Sequence, residues 1–316
     1  MQQRSTIGVD EVRGMIAVDK IGAQVLFLNP ESYAIEVVID GFQRTVHELL
    51  VMAEINRAYV PIFGDGIHGN NPNPGHTLCV FDLATRKRLS DIDLLPFVAP
   101  HTLRLAPDGL IYVTCENSAK IAIVDPKSNS VVGAIESGST NAHRLCITGD
   151  GTRIYTDNEE DAEISVIDLP GRKLLGKIKT PQPIAGIAVS EDGKTVIAVS
   201  DSEPILFAID PERGETVQTV PLRGVPKPAQ IVRYSPDASL ICVTSLNSDC
   251  VTVMKSGFTQ QSTITIGSQP MDMGFRGGLL FVGCQGDGTV HVVDLASRKA
   301  VTSFSAGKGC ESIGVY

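Results

Sequence analysis

The chain is a long series of short runs in which apolar residues either continue for a few positions or alternate with polar ones at a period of two. Leu103 to Ala106 is one such run, and it ends in the turn Pro107-Asp-Gly109. Runs rich in Val, Ile and Thr, separated by turn residues, are the pattern of short β-strands joined by tight connections. The pattern also recurs. Ile121-Ala-Ile-Val-Asp125-Pro returns as Val80-Phe-Asp82-Leu, Ser165-Val-Ile-Asp168-Leu, Phe207-Ala-Ile-Asp210-Pro and Val292-Val-Asp294-Leu, with weaker copies at Val253-Met-Lys255 and Phe27-Leu-Asn29-Pro.

Each copy stands at the same place in an order of four strands, the first of which ends in a turn such as Pro107-Asp-Gly109, Gly149-Asp-Gly151, Glu191-Asp-Gly193 or Pro236-Asp-Ala238. The acidic markers lie 43 residues apart from Asp82 to Asp125, 43 to Asp168 and 42 to Asp210. About forty residues and four strands per unit describe one blade of a β-propeller. Seven units predict an all-β, seven-bladed β-propeller with four antiparallel strands per blade, a single domain over residues 1–316. The ends fit a closed ring. Residues 310–316 offer one last strand, and residues 14–19, 23–28 and 33–39 offer three, so the seventh blade is expected to be shared between the termini, removing the sheet edges that invite aggregation.

Composition narrows the partners. With 42% hydrophobic and 20% charged residues the chain has ample material for a core, and its net charge of −9 opposes a polyanion partner. Aromatics are only 5% and tryptophan is absent, which leaves few platforms for stacking bases. Neither nucleic acid nor membrane is expected as a partner: no apolar window approaches the length of a membrane span, and no apolar run follows Arg4 as in a secretory leader. Seven cysteines form no C-x-x-C pair, and several lie inside apolar runs such as Leu240-Ile-Cys-Val243. They read as small buried thiols of a cytoplasmic protein.

The segment Tyr112-Val-Thr-Cys-Glu-Asn-Ser-Ala-Lys-Ile-Ala-Ile-Val-Asp-Pro-Lys-Ser-Asn-Ser-Val-Val-Gly133 resembles a repeat of the YVTN-type seven-bladed β-propeller family, and Ala58-Tyr-Val-Pro61 and Ile154-Tyr-Thr-Asp-Asn158 resemble variants of it. The resemblance runs over essentially the whole chain and implies the fold. For function it implies a range, since members of that broad family include lactonases, lyases, quinoprotein-like oxidoreductases and surface proteins.

With the blades aligned on their first strands, one position carries His47, His101, His143, Ala185, Ala229, Met271 and Glu311. Half of the six histidines share a register, and with Glu311 they occupy four consecutive blades. The first strand of a blade lies nearest the propeller axis, so residues opening these strands converge at one end of the central channel. Three imidazoles and a carboxylate suit a divalent transition metal (Mn, Fe, Co, Ni, Cu or Zn) better than Mg or Ca, which prefer oxygen ligands. Ala and Met at the same position in other blades show that the fold itself does not demand an imidazole there. A slip of one residue would put Cys310 in place of Glu311.

A second feature is independent of that register. The stretch from first-strand start to acidic marker is 24 residues from His101 to Asp125 and 25 from His143 to Asp168, but 35 from His47 to Asp82. The excess lies in Gly64-Asp-Gly-Ile-His-Gly-Asn-Asn-Pro-Asn-Pro-Gly-His76, which an antiparallel meander places beside the channel mouth. His68 and His76 are therefore candidates for a further ligand or proton carrier, and Glu116, Glu159 and His76 for general-base work beside the metal. No Walker A sequence, G-x-S-x-G elbow or H-E-x-x-H helix is present. The pattern points to a metal-dependent enzyme acting on a small oxygenated substrate by Lewis-acid and general-base chemistry, as a lyase or isomerase. A lactone-type hydrolase, a copper or iron oxidoreductase and a non-catalytic scaffold for protein interaction are the alternatives.

Overall fold

A computed structural model describes residues 12–42 and 45–316. Seven antiparallel sheets of four strands follow one another round a ring. The innermost strands are Thr45–Val46 with Leu50–Met52 in blade one, then Pro100–Leu105, Ala142–Ile147, Ile184–Val189, Ile231–Tyr234, Pro270–Arg276 and, in blade seven, Cys310–Val315. Blade one counts as four-stranded because its innermost strand is broken in two at residues 47–49. Among the described residues no helix is long and apolar enough to cross a membrane. The first eleven residues, including the start at which the sequence shows no leader-like run, lie outside the described residues.

The repeat has a local cause. In five blades the acidic marker ends the third strand and stands at the turn into the fourth: Asp125 Oδ1 accepts Lys127 N at 2.8 Å, and Asp210 Oδ1 accepts Glu212 N and Arg213 N. Asn29, a weaker copy in the sequence, does the same for Glu31 N and Ser32 N. These are Asx turns, which a short polar side chain makes with backbone amides two or three residues on. The Asp-Gly turns after the first strands work alike, with Asp108, Asp150, Asp192 and Asp237 each accepting an amide two residues ahead. Gly109, Gly151 and Gly193 supply the positive φ that such a turn needs, and Ala238 holds φ 57° in its place.

The core is layered between blades. Seven apolar clusters fill the seven gaps between neighbouring sheets, for example Phe27, Val60, Phe81 and Tyr316 between blades seven and one. Outermost strands such as Lys87–Asp93 are largely exposed, so burial grows toward the axis. All seven cysteines are buried, and burial pushes the thiols of Cys79 and Cys115 up to about 12.

Blade seven forms as the three-plus-one split requires. Met15–Asp19 pairs with Cys310–Val315, from Met15 opposite Val315 to Asp19 opposite Cys310. Asp19 is fully buried at this seam, and its carboxylate accepts Lys308 N, Gly309 N and Gly22 N at 2.8–2.9 Å. One side chain thus ties the last turn of the chain to the first. Asp19→Ala leaves three amides without their acceptor and should lower stability by roughly 2–4 kcal/mol in denaturant unfolding. Asp125→Ala, at an exposed turn, should cost about 1 kcal/mol or less. Truncation after Gly309 should leave an open edge on Met15–Asp19 and cause aggregation, read by light scattering.

Candidate functional site

The channel mouth is made by irregularities in the innermost strands. In blade two Val113 pairs with Leu103 and Cys115 with Pro100, so His101 and Thr102 together oppose Thr114. In blade three His143 and Arg144 together oppose Asp157. Blades four, six and seven carry one extra residue at the same level, and in blade one the three residues between Val46 and Leu50 face the two between Ile62 and Tyr59. A β-bulge of this kind bends the strand and re-aims side chains. It also frees an amide, and the opposing side chain takes it up: Thr114 Oγ1 accepts Thr102 N, and Asp157 Oδ1 accepts Arg144 N.

The re-aimed side chains meet. The imidazoles of His47 and His101 have centroids 4.2 Å apart, and those of His101 and His143 4.0 Å apart. Each of the three residues is 2–4% exposed. Glu311, 1% exposed, lies at the far edge with Oε1 3.7 Å from His47 Nε2, while Cys310 packs into the gap between blades six and seven. The register read from the sequence therefore gathers its four polar members at one end of the channel.

Those four do not share one role. Lys20, from the turn between the second and third strands of blade seven, donates to His47 Nε2 at 2.9 Å and lies 3.5 Å from Glu311 Oε2. A second donor to that carboxylate is Gln285 Nε2. Burial, then the Lys20 charge, hold the His47 imidazole well below its usual range, so it is neutral and its Nε2 lone pair is already occupied. His47, Lys20 and Glu311 form a bonded group on one side of the mouth, and His47 joins it to the rest through a third donor triad, His47–Glu48–His101.

On the other side stand His101, His143, His68, Glu116 and Glu159. Glu116 follows the second strand of blade two and is 1% exposed; Glu159 follows that of blade three. His68 comes from the blade-one insertion, whose loop lays its ring against that of His143, 4.6 Å between centroids. His68 Nδ1 is 3.1 Å from Glu116 Oε2, and its Nε2 is 3.8 Å from Glu159 Oε2. Two overlapping triads, His101–Glu116–His143 and His68–His143–Glu159, each place their donor atoms within 4.8 Å of one another.

These contacts are crowded. His143 Nδ1 and Glu159 Oε2 are 2.7 Å apart, His68 is shared between Glu116 and Glu159, and Glu116 Oε1 is buried 3.8 Å from His101 Nε2. Arg144 donates to the same His143 Nδ1 at 3.0 Å. Burial, then Arg144 and the neighbouring imidazoles, hold His143 well below its usual range. At this distance the carboxylate and the Arg144 guanidinium, which can only donate, contest the same ring nitrogen. Ligands of a tetrahedral transition-metal ion stand about 3.3 Å apart, close to the spacings seen here.

Charge points the same way. Glu48, Glu116, Asp157, Glu159 and Glu311 surround the cluster against Lys20 and Arg144. Protons make up part of the difference. Burial pushes the Asp157 carboxyl up to about 8; on His68 burial opposes the charge, but Glu116, Glu159 and Asp157 outweigh it and hold the imidazolium up to about 9.

Three sequence expectations need correction. His76 is not at the mouth: it belongs to the third strand of blade one, is 43% exposed, and bonds Asp93 on the fourth strand at 2.9 Å. The insertion is shorter than it looked, because Pro74–Asp82 continues the strand and only residues 65–73 form the loop that carries His68 inward. In blade five the register shifts by one, since Tyr234 rather than Arg233 pairs at the level of Leu105. Gln230, not Ala229, is then nearest the ring, and its Nε2 reaches Glu159 Oε1 at 3.4 Å. Sequence reasoning missed Glu48, Arg144 and Lys20, the first two of which are the residues directly after His47 and His143 in the same register.

No family model matches the chain, so the YVTN-type resemblance rests on the residues quoted above. A curated relative, an uncharacterized WD repeat-containing protein of Synechocystis sp., is 27% identical over 139 residues. That match covers 43% of this chain and 38% of the relative, so the chain spans well under half of that protein's length. Among solved structures, hydrazine synthase of Kuenenia stuttgartiensis superposes with a TM-score of 0.69 at 18% identity, covering 87% of this chain and 92% of that one. At that identity the likeness is one of fold, and it supports the seven-bladed propeller.

Both proton-holding groups make ion-free stability fall with pH. Asp157 keeps its proton to about 8 whereas an unfolded Asp loses it near 4; His68 keeps its proton to about 9 whereas an unfolded His loses it near 6.5. The folded form therefore binds more protons over these windows, and the stability it gains at low pH is lost as pH rises. Thermal unfolding of chelator-treated protein should show a midpoint declining from about pH 6.5 to 9, and the decline should flatten in Asp157→Asn with His68→Asn.

Proposed function

We propose that this propeller is a metal-dependent enzyme whose divalent transition-metal ion is held by His101, His143, Glu116 and Glu159. The observation that carries the reading is the convergence of the overlapping triads His101–Glu116–His143 and His68–His143–Glu159, each with its donor atoms within 4.8 Å, inside a buried cluster with more carboxylates than cations. A set of two imidazoles and two carboxylates suits Mn, Fe, Co, Ni, Cu or Zn, and donors crowded together in a buried cluster are what such an ion would satisfy. A bound ion of this kind supplies Lewis-acid polarisation of a carbonyl or carboxylate oxygen.

The chain's own residues supply the rest. The substrate is a small oxygenated organic molecule, because the mouth is lined by charged and imidazole groups. Lys20, 19% exposed beside His47, attracts an anionic group of that substrate. His68 is charged at neutral pH and 14% exposed, so it can deliver a proton at the mouth and, once neutral, take one back. The loop of residues 65–73 covers this side and limits water. One group that gives and retakes a proton beside a Lewis acid fits a lyase or isomerase, with lactone hydrolysis as the nearest variation.

Elemental analysis of untagged protein, with titration of Mn, Co and Zn into chelated protein, tests the reading. Near-stoichiometric metal is expected, and His143→Ala and Glu159→Gln should each weaken binding at least about 100-fold while preserving the β-sheet spectrum. His76→Ala should change nothing. Redox-active copper or iron in the purified protein would shift the assignment to an oxidoreductase; no binding of any of these ions would leave a scaffold.

A further inference from the structure

The far end of the channel carries chemistry that the metal reading does not use. A cavity of about 560 Å³ opens there, lined by the innermost strands of all seven blades. Its polar lining is dominated by three arginines: Arg104 from blade two, Arg144 from blade three and Arg233 from blade five. Its walls are apolar, with Ile147, Val189, Phe275 and Val315 at corresponding levels of their strands.

The arginines are not fully neutralised. Asp272 holds Arg233 in a two-pronged pair, Nε to Oδ1 at 2.7 Å and the terminal nitrogen to Oδ2 at 2.8 Å, and Ser312 Oγ supports the same carboxylate. Glu48 is the remaining acid. It accepts Thr102 Oγ1 at 2.8 Å and lies 3.5 Å from Arg144 Nε and 3.7 Å from Arg104, too far for a hydrogen bond to either. Arg144 is 5% exposed and its Nε is unpaired. The Arg104 side chain is a quarter exposed and spends one terminal nitrogen on Leu103 O, with no hydrogen bond to a carboxylate. Two carboxylates face three guanidiniums that cannot lose their protons, so one positive charge is left over. Burial, then the neighbouring Arg233 charge, lower Arg104 to about 10, which reflects this crowding of like charge.

We propose that this cavity is a binding site for a small organic carboxylate, its carboxyl group paired with Arg104 and Arg144 and its hydrocarbon body against the apolar wall. A guanidinium fork matches a carboxylate in geometry as well as charge. The apolar wall separates this ligand class from inorganic phosphate or sulfate, which have nothing to bury there. The cavity opens at the end of the channel away from His101 and His143, with Arg144, which also donates to His143 Nδ1, at its inner limit, and the proposal does not rest on the metal assignment.

Calorimetric titration of the full-length protein with acetate, butyrate, hexanoate and octanoate, and with sulfate and phosphate, tests it. Saturable binding of one carboxylate per chain is expected, tightening a few-fold with each added methylene. Arg104→Gln should weaken it at least tenfold and Arg104→Lys less. Val189→Glu, which sets a carboxylate in the wall, should weaken it as well, and thermal unfolding checks that each variant is folded. His101→Ala should leave the affinity unchanged. The proposal is overturned if no carboxylate binds, if sulfate or phosphate binds as tightly as octanoate, if Arg104→Gln binds like the parent, or if His101→Ala alone abolishes binding.

Discussion

The structure depends on the pairing of its last strand with its first. Until Cys310–Val315 lies against Met15–Asp19, blade seven lacks its innermost strand and the ring has no fixed circumference. The buried Asp19 carboxylate, accepting amides from both ends of the chain, is the local contact that sets this seam. The seam also delivers function-bearing groups. Glu311 belongs to the closing strand and Lys20 to the turn after Asp19, so the His47–Lys20–Glu311 group exists only in the closed ring. Closure of the ring thus also completes the His47 side of the mouth.

The second constraint is the extra residue near the start of the innermost strands. A regular strand would present one side chain per level toward the axis. A bulge sets two against one, which is why His101 is followed by Thr102 and His143 by Arg144, both near the axis. The cost is a freed amide, and Thr114 and Asp157 meet it from the second strand. Asp157 is thereby drawn into a dry place beside His143, where burial keeps its proton on. A backbone irregularity and an electrostatic anomaly have the same origin.

The fold was legible because its signals are local. Asx-turn residues at Asn29, Asp82, Asp125, Asp210 and Asp294 cap similar turns in five blades, and the spacing of such markers counts the blades. The histidine register was legible for the same reason: a residue fixed relative to a turn keeps its level in a ring. What stayed hidden depends on contacts across blades. Lys20 sits in an ordinary turn by sequence, and nothing nearby shows that its amine meets His47. Glu48 and Arg144 look like the outward partners of their histidines under strict alternation, and only the bulge turns them inward. The shift from Ala229 to Gln230 follows from blade five having a four-residue innermost strand, unlike its neighbours. His68 and His76 could not be separated by counting, because the point at which the loop becomes strand is set by pairing of Gly64 with Pro74.

The channel is polarised along its axis. Its His-rich mouth is ringed by carboxylates and its far end by arginines, and the two meet at Glu48 and Arg144. Glu48 Oε1 is 3.4 Å from His101 Nδ1 and 3.5 Å from Arg144 Nε, while Arg144 itself donates to His143 and to Ala185 O. A charge placed at either end therefore acts on the same two side chains. The bulges that turn Glu48 and Arg144 inward thus set a carboxylate and a guanidinium 3.5 Å apart where the acidic mouth passes into the basic end, so neither end carries its excess charge into the middle of the channel.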